Sequence, residues 1–168
     1  LVTGAGGGLG RALALRFGSA RSNIVALDKD AGAIDSLAVE LDRLGTACLA
    51  LPCDVTDARA CSVVVAEAVQ RFGALDVLVN NAGMSHRSGF AVTGLDVIRR
   101  VMDVNFFGAV NCTKAALPHL VERRGLVVVI SSVAGYTPLV ARTGYAASKH
   151  ALHGFFDSLR TELAPQGV

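Results

Sequence analysis

The feature that most constrains this chain is a glycine-rich stretch at its very start. Thr3-Gly4-Ala5-Gly6-Gly7-Gly8-Leu9-Gly10 sits between an apolar stub, Leu1 to Thr3, and a segment of helical period carrying Leu9, Leu13 and Phe17. Glycine between a strand and a helix lets the backbone turn tightly, and a further glycine lets an anion approach main-chain N–H groups at the positive helix end. Gly4, Gly8 and Gly10 are placed to do this. Counted from Gly4 and Gly6, the third position of G-x-G-x-x-G falls on Leu9, so the pattern is the longer T-G-x-x-x-G-x-G. A glycine cluster alone also fits a plain loop. A strand before it, a helix after it and an acid downstream favour a dinucleotide cradle.

The rest of the chain alternates apolar strand-like runs with helical segments, which predicts β-α-β units and a mostly parallel sheet. Strands are expected at Asn23 to Asp28, Ala47 to Leu51, Leu75 to Val79 and Leu126 to Ile130. The last has no polar alternation, so both its faces should be covered. Between them, Ile34, Leu37, Ala38, Leu41 and Leu44 recur at helical spacing, and Thr56 is a plausible N-cap for a helix with Val65, Ala68, Val69 and Phe72 inward. One long helical region is expected from about Leu95 to Arg124. A final helix from near Tyr145 should bury Leu152, Phe155, Phe156, Leu159 and Leu163. The expected architecture is a doubly wound, Rossmann-like α/β/α sandwich with the dinucleotide at the switch point beyond the strand ends. At 168 residues, one domain spanning 1–168 suffices.

Composition narrows the function. A net charge of +2 spread along the chain supplies no basic stripe for nucleic acid. No apolar run approaches the roughly 20 residues of a membrane span. The chain starts inside a strand without Met, so the sequence is silent on any upstream targeting or anchor segment, and the cytoplasm is only a default. Cys48, Cys53, Cys61 and Cys112 form no C-x-x-C pair and have no His partner at zinc-ligand spacing, so idle reduced thiols and no metal site are expected. His86, His119, His150 and His153 have no carboxylate at a diagnostic spacing and receive no catalytic role.

Asp28 ends the second expected strand, where a carboxylate can accept hydrogen bonds from adenosine ribose hydroxyls and repel a 2'-phosphate. That favours NAD. Lys29 next door softens the repulsion, which leaves NADP open, and Asp28 in isolation also reads as a solvated acid opening a turn. Near the other end, Tyr145 and Lys149 stand at i and i+4, on one helix face. A free phenol titrates near pKa ~10, and a neighbouring ammonium favours its ionised form. Such a pair serves as a general acid and base. Taken alone, Y-x-x-x-K is a common coincidence.

Together, Thr3-Gly4-x-x-x-Gly8-x-Gly10, Asp54-Val55, Asn80-Asn81-Ala82-Gly83, Asn105, Ser132 and Tyr145-x-x-x-Lys149 resemble the short-chain dehydrogenase/reductase family over essentially the whole chain. The resemblance implies that Thr3, Gly4, Gly8, Leu9, Gly10, Asp28, Asp54, Val55, Asn81, Ala82 and Gly83 bind NAD(P), with Asp54 and Val55 flanking the adenine and Asn81 at the adenosine ribose. Ser132, Tyr145, Lys149 and Asn105 would be the catalytic set. Ser132 would hold the substrate oxygen, Lys149 the nicotinamide ribose, and Asn105 a proton-relay water at a kink in its helix. A mid-helix Asn can also simply face solvent.

The implied activity is hydride transfer between nicotinamide and a small-molecule secondary alcohol or ketone, in a homodimer or homotetramer. The alternative is a non-catalytic NAD(P)-binding sensor or scaffold on the same fold. Family members are usually longer, so the resemblance also implies a segment truncated after the helix that follows the fifth strand.

Overall fold

The computed structural model describes residues 1–168. Five strands, β1 (Val2–Thr3), β2 (Ile24–Asp28), β3 (Cys48–Pro52), β4 (Val77–Asn80) and β5 (Leu126–Val129), form one parallel sheet in the order β3-β2-β1-β4-β5. Between them lie α1 (Gly8–Ser19), α2 (Ala31–Arg43), α3 (Ala58–Phe72), α4 (Leu95–Met102) and α5 (Gly108–Arg123), and α6 (Thr143–Leu163) follows β5. The order reverses at β1, which puts the switch point between the carboxyl ends of β1 and β4.

The central strands β1, β2 and β4 are buried on both sides because they are apolar at nearly every position. Side chains alternate across a strand, so Val25 and Leu27 enter one core with Cys61, Val65 and Leu78, while Ile24 and Ala26 enter a second with Ile34, Leu37 and Leu41. The three layers follow from that alternation. Cys53, Cys61 and Cys112 share the first core. Hydrogen bonding to Cys112 and burial push the Cys61 thiol up to about 12, so it stays protonated and unreactive.

Several local expectations need correction. Leu9 is 53% exposed; α1 seats on the sheet through Gly10, Ala14 and Gly18, whose small size and four-residue spacing bring the helix close. Asp57, not Thr56, caps α3: its carboxylate accepts from the Arg59 and Ala60 N–H groups, while the Thr56 hydroxyl donates to Asp54. The long helix is broken by a π-helical turn at Asp103–Phe107, closed by the Gly108 N–H on the Asp103 carbonyl. In α6 only Leu152 and Leu163 of the expected set are fully buried. Phe155 and Phe156 instead join an edge-to-face aromatic row with Phe106. Finally, β5 is not covered on both faces: Leu126 is 54% exposed, and a groove of about 500 Å³ runs between β5 and α6.

Candidate active site

At the switch point Gly4 has φ +64°, a left-handed conformation that costs glycine nothing. Gly10 lies so close to the turn that a Cβ there would overlap the Gly4 carbonyl. In front of Gly7 and Gly8 there is open space, and no side chain caps the first turn of α1. The free N–H groups of that turn therefore form a cradle suited to a pyrophosphate. Beside it, a cavity of about 310 Å³ is lined by Gly4, Asp28, Asp54, Val55, Ala82 and Gly83. Residues from four separate elements or loops thus meet at one groove.

The groove is braced by its own polar side chains. The Thr3 hydroxyl accepts from the Asn81 and Ala82 N–H groups at 3.0 Å each. The Asn81 amide donates to the carbonyls of Thr3 (2.9 Å) and Gly4 (3.1 Å), which fastens the end of β4 to the glycine turn. Asp28 accepts from Gly6 N–H (3.0 Å) and Asp30 N–H (3.1 Å), so its carboxylate is fixed at the groove edge. Asp54 accepts both the N–H and the hydroxyl of Thr56, and these bonds hold its carboxyl below the usual range. Lys29, Met84 and Arg100 also line this cavity. Arg100 comes from α4, far along the chain, and no motif marks it.

The other set lies along α6. Lys149 is only 5% exposed, and burial lowers its pKa from the ordinary lysine value. Its Nζ donates to the Ile130 carbonyl at 2.7 Å and lies 5.8 Å from the centre of the Tyr145 ring. The Arg142 guanidinium lies 6.0 Å from the same ring. Tyr145 is half-buried near both cations. Ser132 follows β5 directly and accepts the Ala134 N–H at 3.1 Å.

Asn105 does not face solvent. It is 1% exposed within the π turn: its Oδ1 accepts from Met84 N–H (2.7 Å), and its Nδ2 donates to the Met84 carbonyl and the Ser148 hydroxyl (2.9 Å each). Ser148 in turn donates to the Tyr145 carbonyl at 2.7 Å. One amide thus joins the loop after β4 to the first turns of α6. Both its donors are spent, so a relay water would have to meet a carbonyl oxygen here.

Of the histidines read as idle, His86 accepts the Gly144 N–H at 3.1 Å, which fixes the start of α6 against the loop after β4. No group of three or more His, Cys, Asp or Glu side chains is arranged to hold a metal ion. No helix is long and apolar enough to cross a membrane.

Comparison with known proteins agrees with this geometry. The family model for short chain dehydrogenases matches residues 1–168. A cattle protein named dehydrogenase/reductase SDR family member 7B is 44% identical over 175 residues, spanning 100% of this chain and 54% of its own length. Human dehydrogenase/reductase SDR family member 7 is 39% identical, across 97% of this chain and 50% of its own length. The chain therefore spans about half the length of these relatives. Among solved structures, an NAD+-bound xylitol dehydrogenase superposes with a TM-score of 0.95 at 30% identity, over 98% of this chain and 64% of its own. A 7α-hydroxysteroid dehydrogenase complexed with NADH and 7-oxo glycochenodeoxycholic acid superposes at 0.93 with 28% identity, over 98% and 65%. With sequence, fold and topology in agreement over its whole length, this chain belongs to the short-chain dehydrogenase/reductase family.

Proposed function

We propose that this chain carries the cofactor site and catalytic residues of an NAD(P)-dependent oxidoreductase that moves a hydride between nicotinamide and a secondary alcohol or ketone. The observation that carries the reading is Lys149: an ammonium buried to 5% exposure, one helical turn from Tyr145. Burying a charge is costly and is rarely done without a use. A sensor or scaffold has no need of it.

The residues suit the cofactor. The α1 cradle and the adjoining cavity accept a pyrophosphate and an adenosine, and the fixed Asp28 carboxylate favours NAD by repelling a 2'-phosphate. Lys29 beside it keeps NADP within reach. The NAD+-bound and NADH-bound relatives support the same class of cofactor. When bound, the nicotinamide supplies or takes the hydride.

The chain's own residues handle the proton and the charge. Tyr145 gives its phenolic proton to the carbonyl oxygen as that oxygen gains charge, and takes it back in the reverse direction. The Lys149 ammonium stabilises negative charge left on the phenolic oxygen. Ser132 donates a second hydrogen bond to the substrate oxygen, so developing charge meets donors already in place. Asn105, through Ser148, holds the first turn of α6 and hence the start of Tyr145's helix.

The test is Tyr145→Phe in the full-length chain. Turnover of NADH-dependent ketone reduction should fall by about 10²-fold or more, while NADH affinity stays within about twofold. Retained turnover, or loss of both properties together, would overturn the assignment.

A further inference from the structure

Ser132 is on the loop after β5, whereas Tyr145 and Lys149 are on α6. To act on one substrate oxygen, these elements must keep a fixed spacing. The Ser132 hydroxyl has one local bond, to the Ala134 N–H, which shapes the loop without tying it to the helix. The ties come from its two predecessors. Lys149 Nζ donates to the Ile130 carbonyl at 2.7 Å, and one helical turn later His153 Nε2 shares a hydrogen bond of 2.8 Å with the Ser131 hydroxyl.

Two further features converge on the His153 ring. Tyr136, at the far end of the loop, packs against it with ring centres 4.3 Å apart. Gly135 leaves the space it occupies: a Cβ there would stand 2.7 Å from Nε2 and 2.8 Å from Ser131 Oγ. Any larger residue would expel the imidazole. His153 also lines the groove beside β5, where Leu152, Phe156 and Leu159 are its neighbours. A polar ring on that wall loses solvation unless it is paired, and Ser131 is its partner.

We propose that His153 is a positioning residue: with Ser131 it locks the Ser132 loop to the helix that carries Tyr145 and Lys149. The inference rests on the reading of Ser132 as the group that orients the substrate oxygen. Of the two ties, Lys149 has a share in the chemistry, which leaves His153 as the one devoted to geometry. A misplacement of about 1 Å at a reacting centre costs up to about 10²-fold in rate, so the tie has a measurable consequence.

The experiment compares His153→Ala, His153→Gln, His153→Asn and Ser131→Ala in the full-length chain. A glutamine amide reaches the place of Nε2; asparagine is too short. With 9,10-phenanthrenequinone as carbonyl probe, kcat should fall by about tenfold to a hundredfold in the alanine variants, with KM for NADH within about twofold. Gln should restore most of it and Asn little. Amide hydrogen exchange at residues 134–136 should accelerate in His153→Ala and return toward the parent in His153→Gln, with β2 and α2 unchanged.

Native kcat in His153→Ala, no advantage of Gln over Ala, or a matching loss of NADH affinity would overturn the proposal. A parent protein that reduces no carbonyl would sink the dehydrogenase reading instead. In that case exchange alone decides the clamp, and unchanged exchange at 134–136 in His153→Ala refutes it.

Discussion

The glycine-turn half and the α6 half of this molecule are built by different means. Around the glycine turn, backbone conformation and close packing set the geometry. Gly4 is left-handed, Gly10 leaves no room for a Cβ, and Ile34, Leu37 and Leu41 are completely buried behind them. Around α6, side-chain bonds between elements set the geometry, and those of Lys149 and Ser148 are buried. Lys149, His153 and Ser148 each reach to another element, while β5 stays half-exposed beside its groove. A cradle for a constant ligand can be built rigid and closed. The α6 side is held by a few directed bonds between elements.

The contrast breaks first at Gly10. A valine there would force its side chain into the Gly4 carbonyl and the Asn81 amide, and backbone cannot yield as a flexible side chain does. Gly10→Val should destabilise the fold by about 4 kcal/mol or more and abolish NADH binding. Denaturant unfolding and NADH fluorescence titration measure the two effects. A variant that keeps native stability would show the turn to be softer than its packing implies.

The second comparison sets one leucine from each half side by side. Leu41 has no exposed surface, so Leu41→Ala should cost about 3 kcal/mol through lost burial and an unfilled cavity. Leu159 lines the open groove on α6, where truncation leaves no closed cavity, and Leu159→Ala should cost under about 1 kcal/mol. Equal costs would mean that the α6 face is as tightly covered in the full-length chain as the α2 face. That result would sharpen where the rest of the protein lies.

The same division explains what could be read from the residues alone. The parallel sheet, its helices and the glycine cradle were legible because apolar runs, helical spacing and glycine turns act over short stretches. Tyr145 and Lys149 were legible for the same reason, being one turn apart. Bonds made at long range were not. The partners of Asn105 lie 21 and 43 residues away, and the partner of His153 lies 22 residues away. Arg100 carries no motif at all, and it lines the groove from α4, far along the chain from the glycine turn. The choice between Thr56 and Asp57 as cap turned on a helix start one residue later than expected.

The smallest expected effect tests the cost of burying the Lys149 ammonium. Burial lowers the pKa of Lys149 below its unfolded value, so between the two values the unfolded chain binds more protons than the folded one, and stability rises with pH there. Below the folded-state value the desolvation cost is present in full; toward the ordinary lysine value of about 10.4 it fades as the amine releases its proton. Lys149→Met keeps length and burial but removes the charge and the bond to Ile130. The melting temperature of the parent relative to Lys149→Met should therefore climb by a few degrees as pH rises from 7 toward 10. Parallel melting curves across that range would mean that the amine is solvated in solution, and the buried charge beside Tyr145 would lose its standing as the mark of catalysis.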